Sequence, residues 1–153
     1  MALEDPGFSE RVATIEELLR LVARVVRRHG REILSRFDIT PPQFDALVVL
    51  VNHEGITMGE LCQKMYLACS TATDLIDRME RAGFLERVRD PHDRRVIRLR
   101  IKPRGQEVLD AVMDARRRYL AGVLSRLEEQ DLEELTRRLR QVYGLMAGEM
   151  ASG

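Results

Sequence analysis

One segment of this chain alternates in the manner of β-strands, and it is short. From Phe84 to Lys102 it reads FLERVRDPHDRRVIRLRIK, two arms around a turn, in a chain whose other apolar residues recur with helical spacing. That pattern restricts the fold to a mainly α class with one small β-hairpin. Asp90-Pro91 supplies the turn, because proline fixes its own φ and drives the residue before it out of the helical region. Val96, Leu99 and Ile101 provide apolar positions in the arms. The remainder is charged: Arg87, Arg89, Arg94, Arg95, Arg98, Arg100 and Lys102 stand against Glu86, Asp90 and Asp93. Such a hairpin suits a phosphate backbone or a narrow minor groove, and taken alone it suits water equally well.

The helices around it are announced by their ends. From about Ser9 to Phe37, apolar residues such as Val12, Ile15, Leu19, Val22 and Val26 recur at three and four residues, the pattern of a long amphipathic helix. Ser9 is its expected N-cap, and Gly30 is where it would loosen or kink. Thr40-Pro41-Pro42-Gln43 and Thr57-Met58-Gly59-Glu60 each form a capping box, opening helices that run to about Asn52 and through Met65. Cys69-Ser70-Thr71-Ala72-Thr73-Asp74 opens a further helix, ending at Ala82-Gly83, where glycine suits a left-handed cap. After the hairpin, Pro103-Arg104-Gly105 marks a break. Two more helices follow, the last beginning near Asp131.

Composition narrows the function. The formal net charge is zero, so a basic surface must be local, a patch rather than a coat. No apolar run approaches a membrane span, and Glu4, Asp5 and Glu10 stand where a signal peptide needs a basic start and an apolar stretch, so a cytoplasmic location is expected. Cys62 and Cys69 are too few for a disulfide framework, and His29, His53 and His92 are scattered. No metal, phosphate or dinucleotide motif occurs and no nucleophile sits with a base, so neither an enzyme nor a metal or cofactor site is expected.

Two short helices, the second opening with small hydroxylated side chains, form a helix-turn-helix pattern. In that geometry the second helix enters the major groove of double-stranded DNA. Ser70, Thr71 and Thr73 are short enough to approach base edges, and a threonine methyl can meet a thymine methyl. Ser70 has a second reading, as a cap. Asp74 is either an acceptor for a cytosine amino group or a charge favoured by the positive helix end.

The stretch Leu67–Gly105, LACSTATDLIDRMERAGFLERVRDPHDRRVIRLRIKPRG, resembles the MarR family of bacterial transcriptional regulators. Met79–Arg87 resembles the family's exit from the recognition helix, and Asp90, Asp93 and Arg95 its wing motif. The resemblance implies a winged helix-turn-helix over 39–103, flanked by dimerisation helices over 1–38 and 104–153. It implies that Ser70, Thr71 and Thr73 approach bases. It also implies that Arg95 enters the minor groove, oriented by Asp93, and that Arg94, Arg87 and Arg78 make phosphate or supporting contacts. Two departures stand out: Ile101-Lys102 replaces the usual Leu-Thr, and Asp74 occupies a position often basic or polar.

The resemblance further implies a homodimer on a pseudo-palindromic operator, repression as the commoner mode, and release by a small-molecule effector. Phe37, Phe44, His53 and Tyr119 are the candidate effector-lining residues. Cys69, at the start of the recognition helix, is a candidate redox sensor, whereas Cys62 reads as a buried small hydrophobe. A helical interaction module without DNA binding is the remaining alternative, and it has little need of Asp93, Arg94 and Arg95.

Overall fold

A computed structural model describes residues 5–151. Glu4, and the outer limits drawn at residues 1 and 153, lie outside the described residues. The elements follow in the order α1 (Pro6–Arg36), α2 (Pro41–Asn52), α3 (Met58–Met65), α4 (Cys69–Arg81), β1 (Leu85–Arg89), β2 (Ile97–Ile101), α5 (Pro103–Leu124) and α6 (Glu129–Ala151). This is the mainly helical fold with one antiparallel hairpin that the sequence predicts. The chain divides into two compact units, one running to Asp114 and the other from Ala115 onward.

Helix α1 starts three residues before the expected Ser9 cap. The Asp5 carboxylate accepts from the Gly7 N–H at 3.0 Å, and Pro6 occupies the first helical position, where its missing N–H costs nothing. Gly30 does not break the helix. It is buried there with Ile33 and Leu34, and the cost of a mid-helix glycine, about 1 kcal/mol relative to alanine, is too small to end a helix whose last turns pack on the core.

Both capping boxes form. Thr40 accepts from Gln43 N while Gln43 Oε1 accepts from Thr40 N at 2.9 Å; Thr57 and Glu60 repeat the exchange at 3.2 and 2.9 Å. The bond from the Thr57 backbone is the first cause of a Glu60 carboxyl held below its ordinary value. Thr57→Ala removes the hydroxyl acceptor and keeps that N–H, so it is expected to lower stability by about 1 kcal/mol, measured by thermal unfolding, while Glu60 stays below the ordinary carboxylate range.

Helix α4 ends as expected. Gly83 takes φ +78°, and the N–H groups of Phe84 and Gly83 bond to the carbonyls of Met79 and Glu80 at 3.0 Å, closing the exposed carbonyls of the last turn. The chain then reverses into β1. Leu85 pairs with Ile101 and Arg89 with Ile97, and β2 is also held on its other side, where Leu99 N bonds to Ile56 O at 2.8 Å. The expected break at Pro103-Arg104-Gly105 is instead the first turn of α5, because Pro at a helix start is favourable and Gly105 lies buried against the Phe84 carbonyl. The last helix begins at Glu129, two residues before the expected start near Asp131.

Leu47, Leu61, Ile76, Met79, Leu85, Leu99 and Val112 are fully buried and join α2, α3, α4, the hairpin and α5 in one core within the first unit. In α1, by contrast, Val12, Ile15, Leu18, Leu19, Val22, Val25 and Val26 are exposed. In the second unit, α6 buries no described residue and exposes Leu135, Leu139, Val142, Tyr143, Leu145 and Met146.

Candidate nucleic-acid interface

Helix α4 turns Ala72, Ile76 and Met79 inward, at spacings of four and three residues. That choice leaves Ser70, Thr71, Thr73, Asp74, Arg78 and Arg81 exposed on the outward side. Ser70 does not cap: the N-cap is Ala68, which offers no side-chain acceptor, and Ser70 sits inside the first turn. Thr73 donates its hydroxyl proton to the Cys69 carbonyl at 2.8 Å, so toward a partner it presents a methyl and acceptor lone pairs only. Among the described residues, no hydrogen bond or ion pair engages the side chains of Ser70, Thr71 or Arg78.

Before α4 stands a residue that the sequence reading passed over. Tyr66 ends α3 in the left-handed region, φ 53° and ψ 37°, and is 92% exposed. A bulky residue with positive φ is uncommon, and here Tyr66 makes the turn usually left to glycine or asparagine. No local signal in Met65-Tyr66-Leu67-Ala68 announces it.

In the wing, the structure sorts the six arginines. Arg87 on β1 forks onto α4, donating to Asp77 Oδ1 at 2.6 Å and to Glu80 Oε2 at 2.5 Å. Burial works against the guanidinium's charge, and the bonds to both carboxylates outweigh it, raising its pKa above the ordinary value. Arg100 pairs across the strands with Glu86, and Arg98 pairs with Asp90 at 2.5 Å. Arg87 is thus a supporting group between strand and helix. Among the described residues, Arg89, Arg94 and Arg95 make no ion pair and are exposed near the hairpin tip. Asp93 accepts from the Arg95 backbone N–H at 3.0 Å, so it holds the tip's main chain rather than the Arg95 guanidinium.

Asp90 organises the turn. Arg98 foremost, then the N–H groups of His92 and Asp93, hold its carboxyl down at about 2. An unfolded aspartate titrates near 3.9, so the stabilisation from Asp90 is complete above about pH 4 and lost as pH falls through about 2. Asp90→Asn should remove that acid-side loss from a stability–pH profile followed by circular dichroism.

The candidate effector-lining residues are not alike. Phe44 is 5% exposed in the core, Phe37 is the half-buried C-cap of α1, and His53 is the exposed C-cap of α2. Tyr119 is half-buried in the second unit. The shallow surface hollows on α1 and α6 include none of the four. Cys69 is exposed at the first position of α4; Cys62 is buried, and burial followed by the neighbouring Cys69 thiol pushes its thiol up. Among the described residues no three His, Cys, Asp or Glu side chains gather as a metal site, and no helix is long and apolar enough to cross a membrane.

A model of the MarR family matches residues 39–97, the stretch from the end of α1 to the start of β2. The chain is 46% identical over 123 residues to YsmB of Bacillus subtilis strain 168, an uncharacterized HTH-type transcriptional regulator, covering 80% of this chain and 84% of that one. The chain belongs to the MarR family. A MarR family protein from Bacillus stearothermophilus has the same fold, with a TM-score of 0.86 at 45% identity over 91% of this chain and 97% of its own. A point mutant of MepR from S. aureus, solved bound to an oligodeoxyribonucleotide, shares the fold alone, with a TM-score of 0.68 at 20% identity over 86% of this chain and 97% of that one. As a MarR-family winged helix-turn-helix protein, the chain is a transcriptional regulator and not an enzyme. Repression, homodimers and response to ligands are typical of MarR regulators.

Proposed function

We propose that the chain binds a pseudo-palindromic operator in double-stranded DNA as a homodimer, as a repressor released by a small-molecule effector. In this reading residues 39–103 bind DNA, and the helices of 1–38 and 104–153 form the dimer. Ser70, Thr71 and Thr73 meet base edges, Arg95 enters the minor groove, and Arg94 and Arg78 lie on phosphates. Arg87 and Asp93 support these contacts from within the protein. The observation that carries the proposal is the division of charge in the wing: Arg87, Arg98 and Arg100 are paired internally while Arg89, Arg94 and Arg95 are left exposed toward the tip. In a neutral chain this is a local phosphate-seeking patch.

The homodimer is supported by the long apolar stripe that α1 leaves uncovered, and by the similar stripe on α6. A two-fold dimer presents two recognition helices about 34 Å apart, one turn of DNA. Sedimentation equilibrium is expected to return twice the 17.6 kDa chain mass. Val22→Ala, which trims an exposed residue and so spares the monomer fold, should raise the dimer dissociation constant on the order of tenfold. A monomeric wild type would remove the dimer from the proposal.

DNA binding is tested by fluorescence anisotropy on the region upstream of the protein's own gene, across a salt series. Affinity should fall steeply and linearly in the log–log plot. Salt-independent binding, or none to any duplex, would favour the interaction module instead. A thermal-shift screen of small molecules and hydroperoxides identifies the releasing agent, and Cys69→Ser separates a thiol response from a ligand response.

A further inference from the structure

Arg98 counts among the basic residues of the wing by sequence, yet its position in the structure gives it a different task. Its Nε donates to Asp90 Oδ2 at 2.5 Å, and a terminal nitrogen donates to the Gly55 carbonyl at 2.8 Å. Gly55 lies in the turn between α2 and α3 with φ +71°, a conformation that fixes where its carbonyl points. The backbone supports the same junction, since Arg98 bridges Thr57 and the next residue bonds to Ile56. On the far side, Asp90 Oδ1 accepts from the N–H groups of His92 and Asp93, and Asp93 in turn accepts from that of Arg95. A continuous path of hydrogen bonds therefore runs from the helix-turn-helix through Arg98 and Asp90 to the main chain of the hairpin tip.

We propose that Arg98 is a positioning residue that sets the aim of the wing relative to the helix-turn-helix, and that it does not bind phosphate itself. The proposal rests on the DNA-binding reading above. Its charge is neutralised by a carboxylate that is 10% exposed, so Arg98 displaces no counterion from DNA. Its contribution is preorganisation: a wing held at one angle loses less conformational freedom when it meets the duplex.

The test compares the wild type with Arg98→Gln, Arg98→Lys, Asp90→Asn and Arg98→Gln/Asp90→Asn. The probe is a duplex recovered from random sequence by selection on the wild-type protein. Each variant should bind on the order of tenfold more weakly, and the double variant no worse than either of its components. The salt slope should stay at the wild-type value. Lysine, which restores the charge but not the forked geometry, should fail to restore affinity. Without DNA, amide exchange at Val96 and Leu99 should accelerate on the order of tenfold in every variant. A salt slope reduced by about 2 per dimer in Arg98→Gln, with exchange unchanged, would make Arg98 a direct phosphate contact and overturn the proposal. Unchanged affinity would overturn it as well. Should the wild type select no duplex, the DNA-binding reading fails, and unaltered exchange then overturns the positioning role separately.

Discussion

Arg95→Ala is expected to weaken operator binding on the order of a hundredfold or more while leaving the unfolding temperature unchanged. The two halves of that result have separate causes. Arg95 is exposed, and no carboxylate pairs with it among the described residues, so removing its side chain breaks nothing that holds the fold. Its backbone N–H, which anchors the tip on Asp93, survives in alanine. An arginine in a minor groove or bidentate on a base contributes about 1–3 kcal/mol, and a two-fold dimer loses the contact twice. The salt slope should fall by about 2, one unit for each lost arginine. Anisotropy titrations at several salt concentrations, beside calorimetric unfolding, measure both halves. A variant that binds as tightly as the wild type would remove Arg95 from the interface. Arg87→Ala should behave differently: it strands Asp77 and Glu80 beside each other at the junction of α4 and β1, so stability and affinity should fall together.

Gly105→Ala is expected to cost the fold about 3 kcal/mol or more, the larger of the stability effects. A Cβ at this position would stand 2.2 Å from the Phe84 carbonyl oxygen and 3.0 Å from its carbon and from the Ile101 side chain. The nearest atoms belong to backbone, and that backbone is fixed: the Phe84 carbonyl accepts from Lys102 N at 2.9 Å, while the Phe84 N–H closes the end of α4. Relief therefore requires α5 to shift away from the junction of helix and wing. Overpacking of a tight site costs about 1–3 kcal/mol where side chains can yield, and more where they cannot. Each kcal/mol moves the midpoint roughly 2–4 °C in a protein of this size, so the transition should fall by roughly 10 °C. Gly59→Ala, in α3 at a position where an added Cβ meets nothing within 4 Å, is the control and should be neutral or slightly stabilising.

Much of this was readable in advance, for physical reasons that differ from element to element. The capping boxes at Thr40–Gln43 and Thr57–Glu60 and the left-handed Gly83 are local devices, complete within four or five residues, so the order of the chain contains them whole. The hairpin was legible because alternation and Asp90-Pro91 act over the same short range. Misreadings occurred where two local signals competed. Ser9 and Asp5 both make acceptable caps, and Pro6 decided for the earlier one. Ser70, by contrast, has two open readings in sequence, cap or outward contact, and α4 begins at Cys69 behind an uncapped Ala68, which leaves the serine on the outward face. Pro103-Arg104-Gly105 has the composition of a break, and only its packing against Phe84 makes it a helical turn.

What sequence alone determined was the architecture: the helices, the single hairpin, the family, and a basic wing after a hydroxyl-rich helix. These depend on periodicity and on caps, which act between neighbours. What only the tertiary structure decided was which charges remain available. Arg87 meets Asp77 and Glu80 from ten and seven residues away, and Arg98 meets Gly55 from 43 away. In sequence Arg98 and Arg95 are alike, three residues apart in the same basic run. Folding brings a carboxylate and a turn carbonyl to Arg98 and, among the described residues, no carboxylate to Arg95. An ion pair depends on distance in space, and chain order does not contain that distance until the chain has folded.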